Sequence, residues 1–342
     1  MARARDLGVV IGTGAPGPRN AITDVAGVRV GATTLVVGDN VRTGVTVVVP
    51  PDEPLFAGSH RLNGNGELTG LEWVRESGML TTPVAITNTH SVGVVHDALI
   101  EAAIRRGMLD DAWSLPVVGE TWDGVLNDIN GLHVRAEHVF QALESAGEEV
   151  PEGNVGGGTG MICHGFKGGT GTASRVTERG WTVGVLVQAN HGRRERLLVD
   201  GVPVGVRVGP DAVPLPDEVA HSGSGSIIVV VATDAPLLPT QCERLAQRAA
   251  LGIGRTGGAG ENSSGDLILA FASGNRGLKG AEPVTGVEMV RNESVDPLFY
   301  AAIEATEEAI VNALVAAETL TGKDGRTARA LPHDLLTAAL SG

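Results

Sequence analysis

The chain has 342 residues, of which 42% are hydrophobic and only 3% aromatic, so a large core of Val, Ile, Leu and Ala is expected. Forty acidic residues against 26 Lys and Arg give a formal net charge of −14, and no basic stripe interrupts it, which excludes binding to nucleic acid through its phosphates. No segment is long and apolar enough for a membrane, and "MARARD" precedes no secretory apolar stretch, so a cytoplasmic protein is expected.

The first third reads as strands punctuated by Gly, Asn and Pro, in "GVRVGATTLVV" and "VRTGVTVVVP". "RLNGNGELTGLEWVRESG" begins as turns and ends as a helix. "TTPVAITNTHSVG" is a strand that runs into a polar loop at Asn88, Thr89 and His90, with a helix expected from about Val95 to Arg106. A second strand with a polar exit starts at Val117 in "SLPVVGETWDGVLNDING". "RAEHVFQALESAG" is an amphipathic helix ending at Gly147. The Gly-dense stretch "EGNVGGGTGMICHGFKGGTGTAS" lacks the spacing of a phosphate loop and reads as close-packed backbone.

"WTVGVLVQAN" is a strand from Trp181 to Asn190. "PTQCERLAQRAALGIGR" is a helix with Pro239 near its start and Gly252 near its end. "GDLILAFAS" is a further strand, and "DPLFYAAIEATEEAIVNALVAAETL" a long closing helix. No repeat and no separating linker appears, so residues 1–342 read as one domain. Apolar strands buried on both faces, with helices long enough to cover them, predict an α/β protein with two packed sheets and helices outside. Cys163 and Cys242 lie far apart without metal spacing, and the nine histidines are scattered, so neither a metal site nor a cofactor is expected.

One joint stands out. In "HSGSGSIIVVVATDAPLL" a Ser/Gly loop stops at Gly225, and Ser226 heads an apolar strand. Serine tolerates strand starts, which is the plain reading. The other reading is that Gly225–Ser226 is a bond meant to break. A serine hydroxyl attacks its own preceding carbonyl, glycine on the acyl side permits the contorted backbone, and water opens the ester. The new chain would begin with Ser226, whose α-amine, with an ordinary pKa of about 8, can act as base for its own hydroxyl.

These motifs together resemble the L-aminopeptidase/D-esterase and β-peptidyl aminopeptidase family of self-processing serine hydrolases. The likeness runs from "RARDLGVVIGTGAPGPRNAITDVAGVRVG" through "NGNGELTGLEW", "TNTHSVG", "ETWDGVLNDING", "EGNVGGGTGM" and "VLVQANHG" to "GSIIVVVATDAPLLP", "NSSGD" and "EATEEAIVNAL". It implies a four-layer αββα sandwich of the N-terminal-nucleophile type. Cleavage after Gly225 would leave a large part, 1–225, and a small part, 226–342.

The same resemblance implies Ser226 as nucleophile, with Ser264 and Asp266 of "NSSGD" supporting it. Their plainer reading is a turn before a strand. It implies Asn190 as an oxyanion donor. The family's second donor, a tyrosine, falls at Trp122, whose indole donates but cannot accept. Glu120 is the candidate for binding a substrate amine. Glu307 and Glu308 are next in line should Asp266 not be the acid. Expected substrates are short peptides, amino-acid amides and esters, and a homo-oligomer, a tetramer of processed units, is implied. Two other readings stay open: a related acyltransferase, and an uncleaved ligand-binding protein.

Overall fold

In the computed structural model, residues 2–51, 54–109, 112–216, 225–280 and 282–342 are described. The Ser/Gly loop at 221–224, ahead of the joint, lies outside them.

The strands are β1 (Arg29–Val37), β2 (Val41–Val49), β3 (Leu55–Gly64), β4 (Met79–Leu80), β5 (Val84–Asn88) and β6 (Val117–Thr121). There follow β7 (Ile162–Cys163), β8 (Phe166–Lys167), β9 (Gly169–Val176), β10 (Thr182–Ala189), β11 (Ile227–Thr233) and β12 (Gly265–Ala272). Helices are α1 (Leu71–Ser77), α2 (Val92–Arg105), α3 (Ala136–Glu144), α4 (Val204–Arg207), α5 (Pro239–Arg255), α6 (Asp296–Val315) and α7 (His333–Ser341).

Two sheets form the middle. One has the order β1-β2-β5-β6, the other β4-β3-β12-β11-β10-β9. Period-2 alternation sends Ile228, Val230, Leu186, Leu267 and Leu269 inward against Val48, Val84, Ile86 and Val117 of the smaller sheet. The opposite set, Ile227, Val229, Val231, Ile268 and Ala270, packs outward on Leu245, Ala249 and Ile253 of α5 and Ala305 and Ile310 of α6. Val45, Val47, Ala85 and Val118 face α2 and α3. Helix, sheet, sheet and helix thus form four layers, the expected αββα sandwich. A strand covered on both faces has no polar side to show, which is why β11 is an unbroken apolar run.

Local signals set the element ends. Pro239 is the first residue of α5, where its missing N–H costs nothing. Helix α2 begins one turn before the expected Val95. The Asn88 side chain accepts from His90 N at 3.1 Å and caps a short turn that runs into the helix. Helix α3 stops at Glu144, three residues short of Gly147.

The Gly-dense segment crosses the narrow gap between the sheets. A Cβ on Gly157 would lie 2.1 Å from Gln188 Oε1 and 2.6 Å from the carbonyl oxygen of Ile86. Only glycine fits there.

Candidate active site

Strand pairing assembles the site at the ends of three interior strands of the large sheet. β11 and β12 are parallel, with Ile227 opposite Asp266, so the head of one lies beside the head of the other. β10 runs antiparallel to β11 with Ala189 opposite Ile227, which brings Asn190 to Ser226. Residues 38 and 40 positions beyond Ser226 in the chain are thereby its neighbours.

Ser226 Oγ accepts a hydrogen bond from Gly265 N at 2.9 Å, and Asn190 N donates to the Ser226 carbonyl at 3.1 Å. Ser264 Oγ lies 2.5 Å from the Gly225 carbonyl oxygen and 2.5 Å from Asp266 Oδ1. A hydroxyl has one proton to donate. Both contacts are satisfied together only when Asp266 carries its own proton and donates to Ser264, which donates to Gly225. Burial pushes the Asp266 carboxyl up to about 6, against the opposing hydrogen bonds from Ser264 and the Ile227 backbone.

Asn190 is held firmly. Its Oδ1 accepts from Ile162 N at 2.7 Å, and its Nδ2 donates to the Trp122 carbonyl at 3.0 Å. Gly225 packs against this amide, where a Cβ would be 2.5 Å from Nδ2. Trp122 thus contributes its backbone carbonyl to this network, while its side chain, 42% exposed, forms part of a wall.

Glu120, next to last in β6, is buried. Its Oε1 accepts from Glu67 N at 3.0 Å and its Oε2 from Thr89 Oγ1. Burial raises its pKa despite those two donors. A cavity of about 470 Å³ joins these groups: Glu120, Trp122, Asn190, Gly225 and Ser226 all line it, with Glu67, Thr89, Gly160, Ile162 and Ser263.

Five of the predicted positions therefore meet in one cavity, and Ser264 and Asp266 stand directly behind Gly225. Glu307 and Glu308 do not join them. Both are buried in α6, where Glu307 pairs with Arg255 and Glu308 with Arg5 at 2.8 Å and Arg175 at 2.6 Å. Charges so paired tie α6 to α5, to the N-terminal segment and to β9. Sequence reading missed Glu67 and Thr89 as the donors that orient Glu120. Their segments "NGNGELTG" and "TNTH" carried motifs, but a backbone N–H reaching across 53 residues leaves no local signal. It also missed Asp123, whose carboxyl burial pushes up to about 7 and which Asn127 Nδ2 holds at 3.0 Å.

Residues 20–328 match peptidase family S58. The chain is 50% identical to a beta-peptidyl aminopeptidase of Sphingosinicella microcystinivorans, with 99% of this chain and 91% of the relative covered. Among solved structures it is similar to a Burkholderia sp. beta-aminopeptidase (TM-score 0.92, 55% identity, 99% and 98% covered). It also matches the L-aminopeptidase D-Ala-esterase/amidase of Ochrobactrum anthropi, described as a variant of the Ntn hydrolase fold (TM-score 0.93, 46% identity, 100% and 98% covered).

Proposed function

We propose, from the premise that this chain belongs to peptidase family S58, that it cuts itself between Gly225 and Ser226 and then works as a serine aminopeptidase. The observation that carries the reading is the Ser264 hydroxyl aimed at the Gly225 carbonyl at 2.5 Å in the uncut chain. That carbonyl is the one the Ser226 hydroxyl must attack.

In the first step Ser226 Oγ bonds to the Gly225 carbonyl carbon and the Gly225–Ser226 amide bond breaks, its nitrogen taking up the hydroxyl proton. Ser264, backed by protonated Asp266, donates to the oxygen as negative charge develops on it. Water then opens the ester, leaving the Gly225 carboxylate and a free Ser226 α-amine. In turnover that amine takes the Ser226 hydroxyl proton, the oxygen bonds to the substrate carbonyl carbon, and the leaving amine departs with a proton. Water releases the acyl group. Asn190 Nδ2 has one hydrogen free for the substrate oxyanion, and its other bonds fix its direction.

Glu120 faces the same cavity and suits a substrate ammonium. Short peptides, amides and esters with a free amine are the substrate class, in keeping with the activities named for the relatives. Two further features belong to the proposal. Two buried free cysteines suit a reducing, cytoplasmic setting. A homo-oligomer suits the exposed apolar side chains of Val284, Val287 and Met289.

A denaturing gel tests the first step. The purified 35.1 kDa chain should resolve into parts of 225 and 117 residues, and Ser226→Ala should stay whole. Full activity from an uncut wild-type chain would defeat the reading.

A further inference from the structure

Sequence spacing shows no metal pattern, yet the fold brings Cys163, His164 and His191 together. Each offers one ligand atom, these atoms all lie within 4.8 Å of one another, and it is the one such His/Cys/Asp/Glu group among the described residues. All three are buried.

Their hydrogen bonding is incomplete in an informative way. His164 Nδ1 lies 3.0 Å from the Arg193 carbonyl oxygen, which can only accept, so Nδ1 carries the proton and Nε2 presents a lone pair. That Nε2 is buried with no partner. A carbonyl that fixes one imidazole nitrogen while the other stays bare is the usual support behind a metal-bound histidine. Cys163 Sγ sits 3.8 Å from His191 Nδ1. Bonds of ~2.3 Å to sulfur and ~2.05 Å to nitrogen at a tetrahedral angle separate the two ligand atoms by about 3.6 Å.

The backbone also holds His164 where it is. His164 and Gly165 form the two-residue turn between β7 and β8, with φ of +49° and +70°. That turn takes Asn or Asp cheaply at its first position. Histidine there accepts left-handed strain, and its ring is turned into the interior, fully buried.

We propose that Cys163, His164 and His191 form a binding site for a divalent ion of the zinc class, the thiol proton leaving to solvent as the ion enters. A thiolate and two imidazoles suit that class. The fourth position would fall to a non-protein ligand. The ion's role is to position Asn190. His191 follows Asn190 directly, Cys163 follows Ile162, and Ile162 N holds Asn190 Oδ1. His164 N already donates to the His191 carbonyl at 2.7 Å, so the ion would lock the two segments a second time.

The test uses the full-length Ser226→Ala chain, so it does not depend on peptidase activity. Expressed in cobalt-supplemented medium and purified, it should hold about one cobalt per chain and show a thiolate-to-cobalt band in the near ultraviolet. Cys242→Ala should keep the band, because that thiol sits on α5 near the Phe56 carbonyl. Cys163→Ser should lose it. If Cys163→Ser does not fold, the parent and Cys242→Ala spectra decide alone. Metal below about a tenth of an equivalent in a folded parent chain, or a band that vanishes in Cys242→Ala, overturns the site.

Discussion

Ser264 has a single proton and two acceptors, and this shapes how Asp266 behaves with pH. The Asp266 pKa stands near 6 in the fold against 3.8 for the free side chain, so the folded chain binds the extra proton between those values. Stability from this group is therefore present at low pH and lost as pH rises through about 6, a penalty on the order of 3 kcal/mol at neutral pH. Asparagine cannot ionise, and its amide can donate to Ser264 as the protonated acid does. In the uncut Ser226→Ala background, Asp266→Asn should raise the melting temperature at pH 7.5, with the gap roughly halved at pH 5 and closing below about pH 4. Equal melts at both pH values would place the proton elsewhere. Glu120 gives the second residue-scale expectation. Losing a charge-assisted contact to a substrate ammonium costs roughly 1.5–3 kcal/mol, so Glu120→Gln should raise KM about tenfold or more and lower kcat less. N-acetylated substrates should be inert. Similar rates on free and acetylated substrates would leave self-cleavage standing and remove the aminopeptidase reading.

Between elements, one polar bridge ties the two sheets just behind the cavity. Gln188 on β10 donates from Nε2 to the Thr87 carbonyl on β5 at 2.9 Å and to Thr121 Oγ1 on β6 at 2.8 Å. Both neighbours lead into the site, since Asn88 follows Thr87 and Glu120 precedes Thr121. Inside an otherwise apolar interface such a donor aligns the sheets, because sliding either one leaves buried acceptors unpaired. Gln188→Leu keeps the volume roughly constant and removes the donor. Urea denaturation of the Ser226→Ala chain should show a loss of about 1–3 kcal/mol. A change within ~0.5 kcal/mol would mean that packing alone sets the alignment.

Across the whole molecule, the proposed cut falls where it disturbs little. β11 lies in the interior of the six-stranded sheet, between β10 of the larger part and β12 of the smaller. Both its faces are buried, and β12 in turn pairs with β3 of the larger part. The two parts share a sheet and a core, so cleavage frees an amine at the head of β11 without freeing the strand. Much of this was legible in the chain itself. The apolar run of β11, the bounds of α5 and the glycine–serine joint rest on periodicity, caps and turn chemistry, which act between near neighbours. The ordered motifs carried the family likeness and with it the candidates Ser226, Ser264, Asp266 and Asn190, while Glu120 was singled out as a carboxylate able to bind a substrate amine. What only the tertiary structure decided was register and approach: Ile227 opposite Asp266, Glu67 N reaching Glu120, Glu307 and Glu308 taken up by arginines, and Cys163 and His164 meeting His191. Each depends on a contact between residues distant in the chain, chosen by how whole sheets pack, and no local pattern records that choice.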